Sequence, residues 1–208
     1  MASILNPPEQ RVLLNNVSWK TYERLLMDLN DSCAPRLTYD RGTLEIMSPS
    51  SEHERYNRTI AQIVEELAVE MNLDFDSLGS TPFKRDDLDR GFEPDSCFYI
   101  QNVTSIRRKK RIDLAVDPPP DLIIEIDITS TSLDRFSIFA AVAVVEIWRF
   151  NGSRLTIHEL KSGTYEERDT SLAFTDISAA EITALIKDSE RITRPEWVRR
   201  LRQWIRER

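Results

Sequence analysis

Histidine and cysteine are scarce in this chain. His53 and His158 are its only histidines, and Cys33 and Cys97 its only cysteines, with no CxxC spacing. A zinc centre of imidazole and thiolate is therefore not expected; two reduced, partly buried thiols in a cytoplasmic protein are. Glycine is also rare, five in 208 residues, and no repeat or low-complexity tract is present. That argues against a repeat array and for well-formed elements. No stretch approaches the ~20 apolar residues that span a bilayer, so no membrane partner is expected. Met1 to Pro8 lacks the charged and then apolar regions of a signal peptide. A surplus of positive charge is missing as well: the formal net charge is −7. That speaks against generic binding to nucleic acid, which rests on neutralising phosphates. A local basic cleft could still act against the net sign, because fields are screened over about 8 Å at physiological salt.

What is present suits one domain over 1–208, with 40% hydrophobic residues to build its core. An N-terminal arm is expected over about 1–16 and a C-terminal docking helix over about 195–207. Ser18 can cap a helix running to Leu26. Leu37 to Met47 reads as a hairpin turning at Asp40-Arg41-Gly42. Ser50 or Ser51 opens a long helix to about Asn72, whose Ile60, Ile63, Val64, Leu67 and Met71 share one face. A strand near Thr81 to Arg85, a polar turn over Asp86 to Phe92 and a strand after Asp95 follow. Ser105 to Asp117 reads as a strand edge or loop carrying a basic run. Ser132 is the expected cap of a helix to about Val142. Glu146 to Phe150 and Arg154 to Leu160 flank Asn151-Gly152, a hairpin signal, and two helices close the chain.

The chemistry concentrates on acids set in apolar runs. Asp95 precedes Ser96-Cys97-Phe98-Tyr99-Ile100, and Glu125 and Asp127 interrupt Leu122-Ile123-Ile124-Glu125-Ile126-Asp127-Ile128. Strand side chains alternate, so Asp121, Ile123, Glu125 and Asp127 point one way and Leu122, Ile124, Ile126 and Ile128 the other. Buried acids are paired or bind metal. Carboxylates on adjacent strands suit a hard divalent cation, which takes oxygen ligands and assists phosphodiester hydrolysis. The competing explanation is an amphipathic strand whose acids face solvent.

Pro94-Asp95, then Pro118-Pro119-Pro120-Asp121-Leu122-Ile123-Ile124-Glu125-Ile126, then Glu146-Ile147-Trp148 resembles the Uma2 family, once called DUF820. These are restriction-endonuclease-like proteins within the PD-(D/E)XK nuclease superfamily, and the resemblance runs from about Val17 to Ile186. It implies an α/β, restriction-endonuclease-like core with a mixed central β-sheet flanked by helices. It also implies Mg²⁺ or Mn²⁺ held by Asp95, Glu125 and Asp127, DNA as substrate, and Glu54 on the first long helix as an accessory ligand. An acid there is equally favoured by the helix dipole. For His53 a half-buried or capping role is expected.

Two departures stand out. The superfamily motif ends in lysine, where this chain has Asp127. The family often carries a lysine in the next helix instead, near the tyrosine matched by Phe139; here Arg135 stands there, and no lysine occurs between Lys110 and Lys161. Arginine keeps the positive charge but cannot serve as a base, so Arg135 is an accessory candidate and weak catalysis is expected. Ala143 and Val145 replace a glycine and a proline, which implies a changed turn before Glu146 and Trp148, themselves read as structural anchors. Arg107 to Arg111 is read as a solvated loop. Trp197, Leu201, Trp204 and Ile205 fall on one helical face, for docking onto the domain or a second subunit, so a homodimer is also expected. The leading function is metal-dependent cleavage of DNA by activated water. The alternatives are a non-catalytic nucleic-acid binder with the same cleft and a homo-oligomeric interaction module.

Overall fold

A computed structural model of the chain describes residues 9–29, 35–129 and 133–208. In chain order its elements are β1 (Gln10–Leu14), α1 (Trp19–Asp28), β2 (Arg36–Asp40), β3 (Thr43–Ser48), α2 (Ser51–Glu70), β4 (Asp76–Ser77), β5 (Phe83–Arg85), β6 (Arg90–Phe92), β7 (Ser96–Tyr99), α3 (Val103–Ile106), β8 (Leu122–Ile126), α4 (Arg135–Ala141), β9 (Glu146–Phe150), β10 (Leu155–Lys161), β11 (Thr164–Arg168), α5 (Ala179–Ser189) and α6 (Arg194–Arg206).

Local chemistry explains most of these boundaries. The side chains of Ser18 and Ser50 accept backbone N–H groups of Thr21 and His53, capping α1 and α2. Ser178 and Glu181 form a full capping box on α5. Arg41 and Gly42, both at positive φ, turn β2 into β3, and Ser162-Gly163 does the same between β10 and β11. The Ser132 cap lies outside the described residues, as do Cys33 and residues 1–8 of the N-terminal arm; α4 begins after Asp134.

The architecture is mixed α/β with two sheets flanked by helices. A five-stranded sheet has the order β1-β3-β2-β6-β5, and a six-stranded sheet the order β11-β10-β9-β8-β7-β4. All pairings in the first are antiparallel. In the second, β8 and β9 pair in parallel, with α4 supplying the crossover that a parallel pair requires. The six-stranded sheet is therefore the expected mixed sheet, and a second, antiparallel sheet accompanies it. Part of the arm pairs as β1 with β3. The stretch read as a polar turn contains β6, three residues around Gly91, held between β2 and β5. So short a strand has no alternation of its own; its neighbours define it.

β8 is buried along its whole length. Leu122, Ile124 and Ile126 pack with Ile60, Val64 and Leu67 of α2 and with Trp197 and Leu201 of α6. On the opposite face Ile123 packs with Cys97, Phe139 and Ile147. Both faces are therefore covered, as parallel strands require, and the solvent-facing explanation for Glu125 fails. α6 docks on its own domain: Trp197, Leu201 and Ile205 are buried there, each contributing about 1.5–3 kcal/mol by burial. Arginines of α6 face solvent as expected while pairing with α2, Arg202 with Glu66 and Arg206 with Glu70. Of the two seats expected for the tryptophan face, the domain or a second subunit, it takes the domain. No helix among the described residues is long and apolar enough to cross a membrane.

Candidate functional site

Register brings the first two acids together. Ser96 pairs with Ile124 across β7 and β8, so Asp95, one residue earlier, faces Glu125 on the same side. The Asp95 corner is pinned from α2: Asn57 Nδ2 donates to the Asp95 carbonyl at 3.0 Å and Asn57 Oδ1 accepts from Ser96 Oγ at 2.8 Å. Asp95 Oδ2 accepts the Ile126 N–H at 2.7 Å and Oδ1 pairs with Arg36 Nη1. Arg36 also reaches Glu54, which sits in the first turn of α2 at the rim with a third of its side chain exposed.

Glu125 Oε2 accepts from Arg135 Nη1 at 2.7 Å, and Arg135 Nη2 donates to Glu45 Oε1 at 2.8 Å. Arg11 joins Glu45 at 3.1 Å and Glu9 at 2.6 Å. Asp127 Oδ2 accepts from Arg149 Nε at 2.6 Å. His53 is fully buried, with Nε2 3.2 Å from Asp95 Oδ2; the half-buried role expected of it is corrected, because α2 lays it directly beneath the acids. Glu9, Glu45, Glu54, Asp95, Glu125 and Asp127 thus interlock with Arg11, Arg36, Arg135 and Arg149 in one cluster, with Arg58 meeting Glu54 at the rim.

Burial is the largest influence on the titrations of this cluster. Burial pushes Glu125 above the usual carboxylate range; Asp127 pushes the same way, while Arg135 and Arg36 pull back. Burial, then Arg36, Arg11 and Arg135, depress His53 to about 3, so its ring is neutral at pH 7. Burial opposes the charge on Arg135, yet Glu125 and Glu45 more than offset it and hold the guanidinium firmly protonated. Burial raises Glu93 to about 7 against the Leu37 N–H and Arg36.

The donor chemistry can be tested against a divalent cation. Glu125 Oε1 and Asp127 Oδ1 are buried and have no hydrogen-bond partner. Both residues line one cleft of about 130 Å³ with Arg135, Arg149 and Phe136. Two free carboxylate oxygens fit Mg²⁺ or Mn²⁺, which is usually held by one or two carboxylates with water and substrate phosphate completing the shell. A three-donor shell is not assembled: no group of three His, Cys, Asp or Glu among the described residues could hold a metal. Both Asp95 oxygens are engaged, by Arg36 and by the Ile126 N–H.

Other features expected from sequence fall into place around this site. Asp121 is a structural acceptor for Ile100 N, Asn102 N and Asn102 Nδ2. Glu146 accepts from Trp148 Nε1 and from the backbone of Leu172 and Ala173, as anchoring requires. The basic run is an exposed loop after α3, with Arg107 paired to Asp74 and Lys109 to Asp117. A larger cleft of about 890 Å³ lies beside this loop and contains none of the candidate acids. Sequence reasoning missed Glu9, Arg11, Arg36 and Glu45. Glu45 carried the same signal as Glu125, an acid between Leu44 and Ile46 in a strand; Arg11 and Arg36 carried none.

A model of the Uma2 family, described as "Putative restriction endonuclease", matches residues 19–185. Among solved structures, the chain is similar to a protein of Anabaena variabilis described as a "putative nuclease belonging to DUF820", with a TM-score of 0.54 and 12% identity, covering 82% of this chain and 99% of that one. At that identity the likeness shows the fold alone. A search of curated proteins found no match. With the family model spanning most of its length, the chain belongs to the Uma2 family.

Proposed function

We propose that this protein hydrolyses phosphodiester bonds in DNA with the help of Mg²⁺ or Mn²⁺, at the site built on Asp95, Glu125 and Asp127. The observation that carries this is the convergence of Asp95, just before β7, and Glu125, on β8, in one buried cluster of carboxylates and arginines. Glu125 and Asp127 would hold the cation through their unpartnered oxygens. Bound there, a divalent ion supplies a water of lowered pKa and neutralises charge on the phosphorus oxygens. No nucleophilic side chain is needed. Arg135, fixed between Glu125 and Glu45, offers permanent positive charge beside the cleft. Asp95 orders Arg36 and the end of β8, and Glu54 holds Arg36 from the rim.

The test is nicking of supercoiled plasmid by the wild type and by Glu125→Gln, which is nearly isosteric and removes one ligand charge. Wild type should nick slowly, best with Mn²⁺, and the variant should lose at least ~100-fold, the scale of a lost electrostatic contact in catalysis. Robust cleavage by Glu125→Gln would sink the assignment. A second reading, binding of nucleic acid without cleavage, is favoured by Arg135 itself, which cannot accept a proton as a lysine could. It takes over if wild type retards DNA in a salt-sensitive way yet never cuts it.

A further inference from the structure

Arg149 is the arginine of the acid cluster that solvent reaches. The side chains of Arg11, Arg36 and Arg135 are 9%, 4% and 6% exposed, and that of Arg149 is 39%. It also lines the cleft that Glu125 and Asp127 line. β8 and β9 run parallel with Glu125 opposite Arg149, so both side chains leave the sheet on the same face.

Two contacts fix its guanidinium. Nε donates to Asp127 Oδ2 at 2.6 Å. Cζ lies 5.7 Å from the centroid of the Phe136 ring, within reach of a cation–π contact. Phe136 packs in turn against His158 and Tyr165, with ring centroids 4.9 Å and 5.1 Å away. Asp127 engages only the inner nitrogen: Nη1 and Nη2 of Arg149 make no hydrogen bond or ion pair among the described residues. Arg135 differs, spending both terminal nitrogens on Glu125 and Glu45.

A guanidinium held in place with two donors to spare matches the paired oxygens of a phosphate. Holding it beforehand lowers the ordering cost when a ligand arrives. Its exposure means that a phosphate meets it from solvent and need not enter the protein interior. We infer that Arg149 is a further substrate-binding residue, gripping one phosphate of the DNA backbone beside the cleft. This rests on the proposed nuclease site and names the residue that anchors the substrate next to Glu125 and Asp127. The grip requires no bound cation, so it can be measured with metal removed.

The test is fluorescence anisotropy of a short labelled DNA duplex with the full chain, in EDTA and over a range of salt. Arg149→Gln should lose about 10-fold in affinity. The slope of log affinity against log salt should become shallower by about 0.9, the release of one phosphate contact; a purely structural role would not move it by that step. Arg154→Gln is the charge control, since Arg154 is 63% exposed and pairs with Glu167; its affinity should change less than about threefold. Arg149→Gln with wild-type affinity and slope overturns the inference, leaving Arg149 as a pin for Asp127. So does an equal loss in Arg154→Gln, which would make net charge the cause. Should Arg149→Gln fail to fold, Asp127→Asn with Arg149→Gln leaves neither charge of the pair behind; a salt slope equal to that of Asp127→Asn alone overturns the inference equally. Plasmid nicking by wild type, with Arg149→Gln binding DNA as wild type does, sinks this inference and leaves the nuclease site standing. A wild type that binds no duplex sinks both.

Discussion

At the end of α4, Ala143 sits at φ +60, the left-handed region that costs an L-residue about 1–2 kcal/mol. Val144 N–H bonds Phe139 O and Ala143 N–H bonds Ala140 O, both at 3.1 Å. This is the Schellman closure that favours glycine at the Ala143 position. The turn has the geometry that glycine prefers, with alanine bearing the strain. Ala143→Gly should therefore stabilise the fold by about 0.5–1 kcal/mol after the entropic penalty of glycine. A chemical denaturation midpoint that fails to rise would show that the strain is relieved elsewhere. The same scale governs Glu125. One carboxylate oxygen is tied to Arg135 and the other unmatched, so Glu125→Gln is expected to abolish Mn²⁺ binding as well as nicking, while circular dichroism stays unchanged.

Among the elements, β6 was the least legible from sequence, and it carries a tight contact. Tyr22 of α1 stacks on Tyr39 of β2 with ring centroids 5.0 Å apart, and its ring and hydroxyl cover Gly91 so closely that any Cβ there would overlap them. Glycine is required by space, since α1 packs across β6 at the depth of a bare backbone. Gly91→Ala should destabilise by about 1–3 kcal/mol, the usual toll of overpacking, and lower the melting temperature by several degrees. A melting curve matching wild type would mean that α1 can lift away from the sheet at little cost. The sequence marked α1 through Ser18 and its leucines. It did not mark where α1 lands, because Arg90-Gly91-Phe92 has neither the length nor the alternation of a strand signal.

Across the whole molecule, buried His53 and half-buried Glu93 give stability opposite pH dependences. His53, depressed from 6.5 to about 3, stays neutral in the folded chain while the unfolded chain takes up its proton. Its contribution is present above about pH 6.5 and is lost as pH falls toward 3. Glu93, raised from 4.5 to about 7, works the other way: its contribution is present below about pH 4.5 and is lost as pH rises through 7. Against a His53→Gln variant, the wild type should lose up to about 1.4 kcal/mol per pH unit as pH drops from 6.5 to 4.5. Parallel stability profiles for the two proteins would show that His53 titrates normally and is not buried among the arginines.

The sequence by itself determined the parts with a local signature. The caps at Ser18 and Ser50, the glycine hairpin at Gly42 and the apolar run of β8 are written within a few residues each. So are the two central acids, because Asp95 and Glu125 break apolar strands and charge within such strands is conspicuous. What surrounds those acids was decided only in three dimensions. Arg11, Arg36, Glu45, His53 and Arg135 arrive from β1, β2, β3, α2 and α4, and no pattern along the chain shows which guanidinium will meet which carboxylate. The split into two sheets and the docking of α6 share that origin. Pairing and burial are satisfied between distant segments, so the tertiary fold alone fixed how the acids are neutralised and which of their oxygens remain free.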